Sequence, residues 1–263
     1  MEIVKGELFW PIGDIISSAG DASPTADVLP YLLGACIVLN CPLIAHDILS
    51  SMFAKFQSRI CADGGSNVIY DTFPSVVLEP GLSAYMPDAV VGDLDSIRLE
   101  VRSFFESQGV VIKHVPDQDS TDLDKALAYY KTIRDITKPS FVAIVGTIGS
   151  HEGRIDQFFA VLNSMYSNLN SGLHVMSIGN ESIMIVLAAG KHRIQVPASA
   201  LNRHCGVVPT FGRVDRVTMR GFEWDLESSP LEFGVLISTN NILRRDTVYI
   251  ETSAPILLTF TYR

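Results

Sequence analysis

Between residue 35 and about residue 178 the sequence alternates two textures. Short, continuously apolar runs rich in β-favouring residues recur at 35–39, 58–62, 89–91, 110–114, 141–146 and 174–178. Among the intervening segments, Leu123, Ala126, Leu127 and Tyr130 fall at helical spacing, as do Ile155, Phe158, Phe159 and Leu162. Strands that are apolar throughout, separated by helices, predict a mostly parallel α/β sheet covered on both faces. Such sheets bind ligands at the carboxyl ends of their strands, so the residues after each run matter most. From about residue 180 the helical period stops. β-rich runs then recur between turn residues at 183–187, 192–196, 216–220, 235–238, 248–251 and 256–261, which predicts an antiparallel β-sandwich. The first 25 residues show no clear period. The expected organisation is an irregular arm (1–25), an α/β domain (26–179) and an all-β domain (180–263).

Composition agrees with two globular domains. The 263 residues exceed what one ordinary domain needs. At 47% hydrophobic and 19% charged, the chain has a core to bury and is not a disordered polymer. Twenty Lys and Arg against 29 Asp and Glu leave a net charge of −9, with no basic run, which excludes a nucleic-acid partner. Cys36, Cys41, Cys61 and Cys205 lie in apolar or strand-like contexts with no CxxC pair. They read as free thiols in a reducing compartment, and a cytoplasmic location is expected. The N-terminal residues carry an acid and no sustained apolar stretch, so no secretory signal is expected. Residues 28–45 approach a membrane span in apolar length, but Pro30, Gly34, Asn40 and Pro42 interrupt them. A buried strand leading into a helix accounts for them without a membrane.

Acidic residues follow four successive runs. Asp63-Gly64-Gly65-Ser66-Asn67 follows the second, Gly92-Asp93-Leu94-Asp95-Ser96 the third and Asp117-Gln118-Asp119-Ser120-Thr121-Asp122 the fourth. The segment from Gly149 through Asp156 follows the fifth. So many carboxylates on one rim repel one another unless a cation neutralises them. A hard divalent ion with oxygen ligands suits the set, and Mg²⁺ bridging substrate phosphates suits it best. Each segment also has a plain structural reading. Asp-Gly-Gly can be a turn in which glycine supplies positive φ. Ser120, Thr121 and Asp122 can be an N-cap and first turn. Asp93 and Asp95 can form a solvated loop, and Gly153-Arg154 can open a helix that buries Ile155 and Phe158. What these readings leave unexplained is the coincidence of all four at strand ends. A P-loop, a dinucleotide fingerprint, GxSxG and HExxH are all absent, and His151-Glu152 lacks the second histidine of a zinc site.

At these residues the sequence closely resembles the thiamin pyrophosphokinase family, most of all its eukaryotic branch. The likeness runs from about Gly34 to the C-terminus. It is carried by the three acidic motifs above, by Gly153-Arg154-Ile155-Asp156-Gln157, and by Gly221-Phe222-Glu223-Trp224-Asp225-Leu226. Phe233-Gly234 and Ile237-Ser238-Thr239-Asn240-Asn241 complete it. Two positions depart from the family's pattern: Ser150 stands where a second glycine is usual, and Glu223 where a lysine is common. The resemblance implies transfer of a pyrophosphoryl group from ATP to thiamin with Mg²⁺, releasing AMP. It also implies a homodimer with its sites between subunits. Asp93, Asp95 and Asp122 would handle metal and pyrophosphate, with Arg154 stabilising charge. Asp63, Gly64, Asn67 and Asp156 would belong to the nucleotide side, and Gln118, Trp224, Ser238 and Asn241 to thiamin. An acidic, aromatic-lined cleft suits the cationic thiazolium, although Trp224 also reads as a core residue of the β domain. The alternatives are a related metal-dependent transferase or hydrolase with another substrate, and a thiamin-binding protein without catalysis.

Overall fold

All six apolar runs of the first half become strands of one sheet. The computed structural model describes residues 7–16, 34–41, 44–78, 84–135, 137, 140–146 and 154–263. The described chain opens with β1 (Glu7–Pro11) and α1 (Ile12–Ile16). It continues through β2 (Ala35–Val38), α2 (His46–Lys55), β3 (Ser58–Ala62), α3 (Gly65–Thr72), α4 (Pro74–Leu78) and β4 (Ala89–Gly92). Next come α5 (Leu99–Ser107), β5 (Val111–His114), α6 (Asp122–Ile133), β6 (Ser140–Val145), α7 (Ile155–Ser167) and β7 (Leu173–Ile178). The rest is β: β8 (Ser182–Leu187), β9 (Gly190–Gln195), β10 (His204–Val208) and β11 (Val214–Arg220). Then follow β12 (Leu226–Leu231), β13 (Ser238–Ile242), β14 (Thr247–Thr252) and β15 (Ile256–Thr261). Two compact units result: Leu29–Asn180, and Glu181–Arg263 together with Met1–Val28.

In the α/β unit the strand order is β7-β6-β2-β3-β4-β5, parallel at every pairing. The chain lays β3, β4 and β5 outward on one side of β2, then returns to add β6 and β7 on the other. Every strand therefore ends at the same edge of the sheet. β2, β4 and β6 are buried along their whole length, as continuous apolar runs require, whereas the edge strand β5 exposes Val111, Lys113 and His114. The stripe predicted for α6 is buried at Leu123, Ala126, Leu127 and Tyr130, and the Tyr130 hydroxyl lies 2.6 Å from Ser140 Oγ. The stripe predicted for α7 needs correction. Its inward face is Val161, Leu162 and Met165, so Ile155, at 73% exposure, and Phe159 lie in solvent.

The second unit is β-rich and mostly antiparallel, as predicted. One sheet has the order β1-β9-β14-β11-β12, and β13, β10, β15 and β8 pair antiparallel in that order. The N-terminal arm is not irregular throughout. β1 pairs parallel with β9, Trp10 Nε1 donates to His192 Nδ1 at 3.3 Å, and the Arg193 guanidinium lies over the Phe9 ring. Its register is fixed by residues nearly two hundred positions away, which no local period reveals. Residues 235–237 are not strand, and β10, β12 and β13 were not anticipated. β12 carries Pro230 and two serines, which only an edge strand accommodates. Among the described residues no helix is long and apolar enough to cross a membrane. Within the apolar stretch 28–45, residues 35–38 are β2, and 28–33 and 42–43 lie outside the described residues.

Candidate active site

Asp63 is the first residue after β3, at φ +39, and its backbone N–H bonds the Val91 carbonyl at 2.9 Å. The two glycines after it do not supply positive φ. Gly64 caps α3 at φ −59, and both serve close approach instead. A Cβ on Gly65 would lie 2.1 Å from the Val38 carbonyl oxygen, and one on Gly64 would lie 2.4 Å from Asn40 Nδ2. The start of α3 is thereby pressed against the end of β2, which carries Asp63 into the interior. It is 1% exposed.

A buried carboxylate needs partners. Asp63 accepts the backbone N–H groups of Ser96 at 2.9 Å and Ile97 at 3.0 Å. Burial nevertheless pushes its pKa above the usual carboxylate range, helped by the charges of Asp122 and Asp95 and opposed by those two hydrogen bonds. Asn67 grips the same loop from the other side. Its Nδ2 donates to the Ser96 carbonyl at 2.9 Å, and its Oδ1 accepts from Arg98 N–H at 3.1 Å. Asp63 and Asn67, assigned to the nucleotide side by resemblance, thus also clamp the β4–α5 loop. The clamp holds Leu94 at φ +65, an uncommon conformation for a branched side chain.

Asp122 reaches the same place from α6. Thr121 caps the helix: its hydroxyl accepts from Asp124 N–H, and the Asp124 carboxylate accepts from Thr121 N–H, a reciprocal capping box. The N-cap reading of this segment therefore holds, and it leaves Asp122 free to face the other carboxylates. With the first turn fixed, Asp122 and Lys125 share one face. Lys125 Nζ donates to Asp93 Oδ2 at 2.9 Å and to Asp122 Oδ1 at 3.1 Å, and its side chain is 2% exposed. The hydrogen bond from Lys125 foremost, with those from Asp95 N–H and Gln118, holds the Asp93 carboxyl below its ordinary value against the raising effect of burial. Burial acts to lower the Lys125 pKa, but the two carboxylates outweigh it and the net shift is upward. Gln118 Nε2 lies 3.3 Å from Asp93 Oδ2.

Oxygens of Asp63, Asp93 and Asp122 all lie within 4.8 Å of one another, so the three can share a cation. Gly92 allows this, since a Cβ there would stand 2.6 Å from Asp63 Cβ and 3.0 Å from Asp122 Oδ1. Asp95 lies outside that trio. It accepts from Ser96 Oγ at 2.7 Å, and its N–H bonds Asp93 Oδ1 at 3.3 Å. Arg154 and Asp156 pair with each other on the exposed start of α7. Gly149, Ser150 and Gly153 fall outside the described residues.

In the β unit, Trp224, Ser238 and Asn241 come together. Asn241, itself buried, accepts Trp224 N–H at 3.1 Å and donates to the Trp224 carbonyl at 2.9 Å and to Ser238 Oγ at 3.3 Å. Trp224 is 59% exposed, which overturns its reading as a core residue. Where a lysine is common in the resembled family, Glu223 pairs with Arg244. Lys125 is the site residue that sequence reasoning missed. Its signal was present: a lysine three residues after Asp122, on a helix whose neighbouring positions are core.

Comparisons with known proteins identify the family. Residues 49–177 match the family described as thiamin pyrophosphokinase, catalytic domain, and residues 191–257 match thiamin pyrophosphokinase, vitamin B1 binding domain. The thiamine pyrophosphokinase 1 of Arabidopsis thaliana is 33% identical over 236 residues, covering 87% of this chain and 86% of the relative. Thiamin pyrophosphokinase from Candida albicans shares the fold with a TM-score of 0.78 at 19% identity, over all of this chain and 95% of that one. The yeast enzyme's crystal structure gives 0.77 at 17%, over 100% and 93%. On this evidence the chain belongs to the thiamin pyrophosphokinase family.

Proposed function

We infer that the protein transfers a pyrophosphoryl group from ATP to the hydroxyl of thiamin, giving thiamin diphosphate and AMP, with Mg²⁺. The observation that carries the reading is the carboxylate trio at the strand ends of a chain that matches both domains of the family. An all-oxygen donor set suits Mg²⁺, and Asp63, Asp93 and Asp122 would hold it with Asp95 alongside. Bound there, the ion would offset negative charge on the phosphates. The remaining work falls to the chain. Phosphoryl-type transfer depends on positioning and charge stabilisation, and clamped loops with fixed carboxylates supply positioning. Arg154 adds an exposed guanidinium for the nucleotide's phosphates, with Asp156 beside it, and Gln118 turns toward Asp93 where thiamin's hydroxyl is expected.

Trp224, oriented by Asn241 with Ser238 adjacent, is proposed to hold thiamin. An exposed indole in an acidic protein suits a cationic thiazolium. The protein is further proposed to be a cytoplasmic homodimer in which this face completes a partner subunit's site. Exposed Trp224, Phe233, Val235 and Leu236 support a covering partner, and four free cysteines support a reducing compartment. The test is AMP release from ATP with and without thiamin. Release that requires thiamin, stops with a chelator and returns with Mg²⁺ is expected. Asp93→Asn should keep its fold while turnover falls by about 10²-fold. Thiamin-independent AMP, or full activity in chelator, would refute the reading.

A further inference from the structure

Burying an ammonium is costly unless it is paired, and Lys125 is paired twice. Its two acceptors, Asp93 Oδ2 and Asp122 Oδ1, belong to the trio whose oxygens lie within 4.8 Å of one another. The capping box at Thr121 fixes the first turn of α6, and the i to i+3 spacing keeps Lys125 beside Asp122. Asp63, the third member of the trio, is held by Ser96 and Ile97. The protein thus carries its own cation at the point where its carboxylates converge.

We propose that Lys125 is a resident counter-ion: it positions Asp93 and Asp122 before a divalent cation arrives and competes with that cation for their oxygens. The proposal rests on the reading of the trio as a cation site. Two charges cannot share the same lone pairs at full strength, so loading the site draws the ammonium away from at least one carboxylate. A lysine released in this way is a donor for the phosphate oxygens that arrive with the ion. Lys125 is accordingly a positioning residue, set to act when the site fills.

The test uses the full chain without nucleotide and Mn²⁺ as the probe, with free Mn²⁺ followed by electron paramagnetic resonance. Lys125→Met keeps the stem and removes the charge. It should bind Mn²⁺ about tenfold more tightly than the wild type, a difference of about 1.4 kcal/mol. It should also melt lower without metal and gain more in Tm when Mn²⁺ is added. Lys125→Arg keeps the charge and should stay near the wild-type affinity, which a purely structural role would not require. Equal or weaker Mn²⁺ binding by Lys125→Met overturns the proposal. Should that variant fail to fold, the wild type still decides, through NMR of ¹⁵Nζ-labelled lysine. The Lys125 signal should shift and exchange faster as Mg²⁺ binds, and a signal unmoved by bound Mg²⁺ overturns the idea. Asp122→Asn separates the two failures. Mn²⁺ binding that needs Asp122 but ignores Lys125 refutes competition alone. No Mn²⁺ binding by any form refutes the cation site and the proposal with it.

Discussion

The position of Gly92 allows a sharp test of whether the carboxylate trio is the working part of the molecule. Gly92→Ala adds one methyl group, whose carbon would stand 2.6 Å from Asp63 Cβ and 3.0 Å from Asp122 Oδ1. Carbon atoms pack at about 3.5–4.0 Å, so one of these neighbours must retreat by about 1 Å. Asp63 cannot yield easily, being tied to Ser96 and Ile97, and Asp122 is fixed by the capped first turn of α6. Overpacking of this kind costs about 1–3 kcal/mol of stability. A misplacement of about 1 Å at reacting groups costs on the order of 10²-fold in rate. The assay is thiamin-dependent AMP release, at a temperature where circular dichroism shows the variant fully folded. Turnover should fall by about two orders of magnitude with secondary structure intact, and Mn²⁺ affinity should fall with it. A folded Gly92→Ala protein with wild-type turnover would refute the claim that the spacing of these carboxylates governs the reaction.

Other outcomes follow from the same geometry. Trp224→Ala should leave the secondary structure of each subunit intact by circular dichroism, because the ring is largely exposed on its own chain, yet weaken thiamin binding roughly 30-fold if a desolvated cation–π contact contributes about 2 kcal/mol; an unfolded variant would contradict the exposure. If sites span subunits, mixing Asp93→Asn with Trp224→Ala at limiting thiamin should give more activity than either variant alone, because one cleft per heterodimer is intact; subunits that exchange without any recovery would place each site within one chain. Burial holds the His192 pKa below its ordinary 6.5, against the raising effect of its bond to the Ala188 carbonyl. The unfolded chain therefore gains a proton first, and stability should fall as pH drops from about 6.5 through the lower folded value, with emission from buried Trp10 as the reporter. His192→Gln should flatten that slope, and an identical slope in both proteins would count against the assignment.

How much of this was legible in the sequence depends on how local each cause is. β2, β4 and β6 were readable because each is buried along its whole length and therefore apolar throughout, and β3, β5 and β7 because enough apolar residues remain in each run despite their exposed or half-buried positions. β12 and β13 were not, since the edge strand Leu-Glu-Ser-Ser-Pro-Leu and the polar Ser-Thr-Asn-Asn-Ile need few apolar residues. β1 was hidden for a different reason: its pairing with β9 is distant in sequence and parallel. At the site, the carboxylates announced themselves by their place after strands. The clamp that Asp63 and Asn67 make did not, because a grip on Ser96–Arg98 is a relation between loops that no single loop encodes. Lys125 lay in plain view at i+3 from Asp122, but an isolated lysine on a helix ordinarily points to solvent.

The start of α6 shows why plain and functional readings of one segment need not compete. Acids are favoured in a helix's first turn because the backbone N–H groups there carry partial positive charge. Asp122 is stabilised by that field whether or not an ion is present, and Asp124 completes the cap. The same N–H groups and the same field favour the approach of a phosphate. Thr121, by capping the helix, also determines where Asp122 and Lys125 point. The residues that allow the helix to begin therefore set the charge balance of the site, and a change at Thr121 that frays the first turn would be felt by Asp93 through Lys125. Local stability and chemistry meet in one turn of helix, so a measured loss of activity there needs a parallel measure of folding before it can be assigned to either.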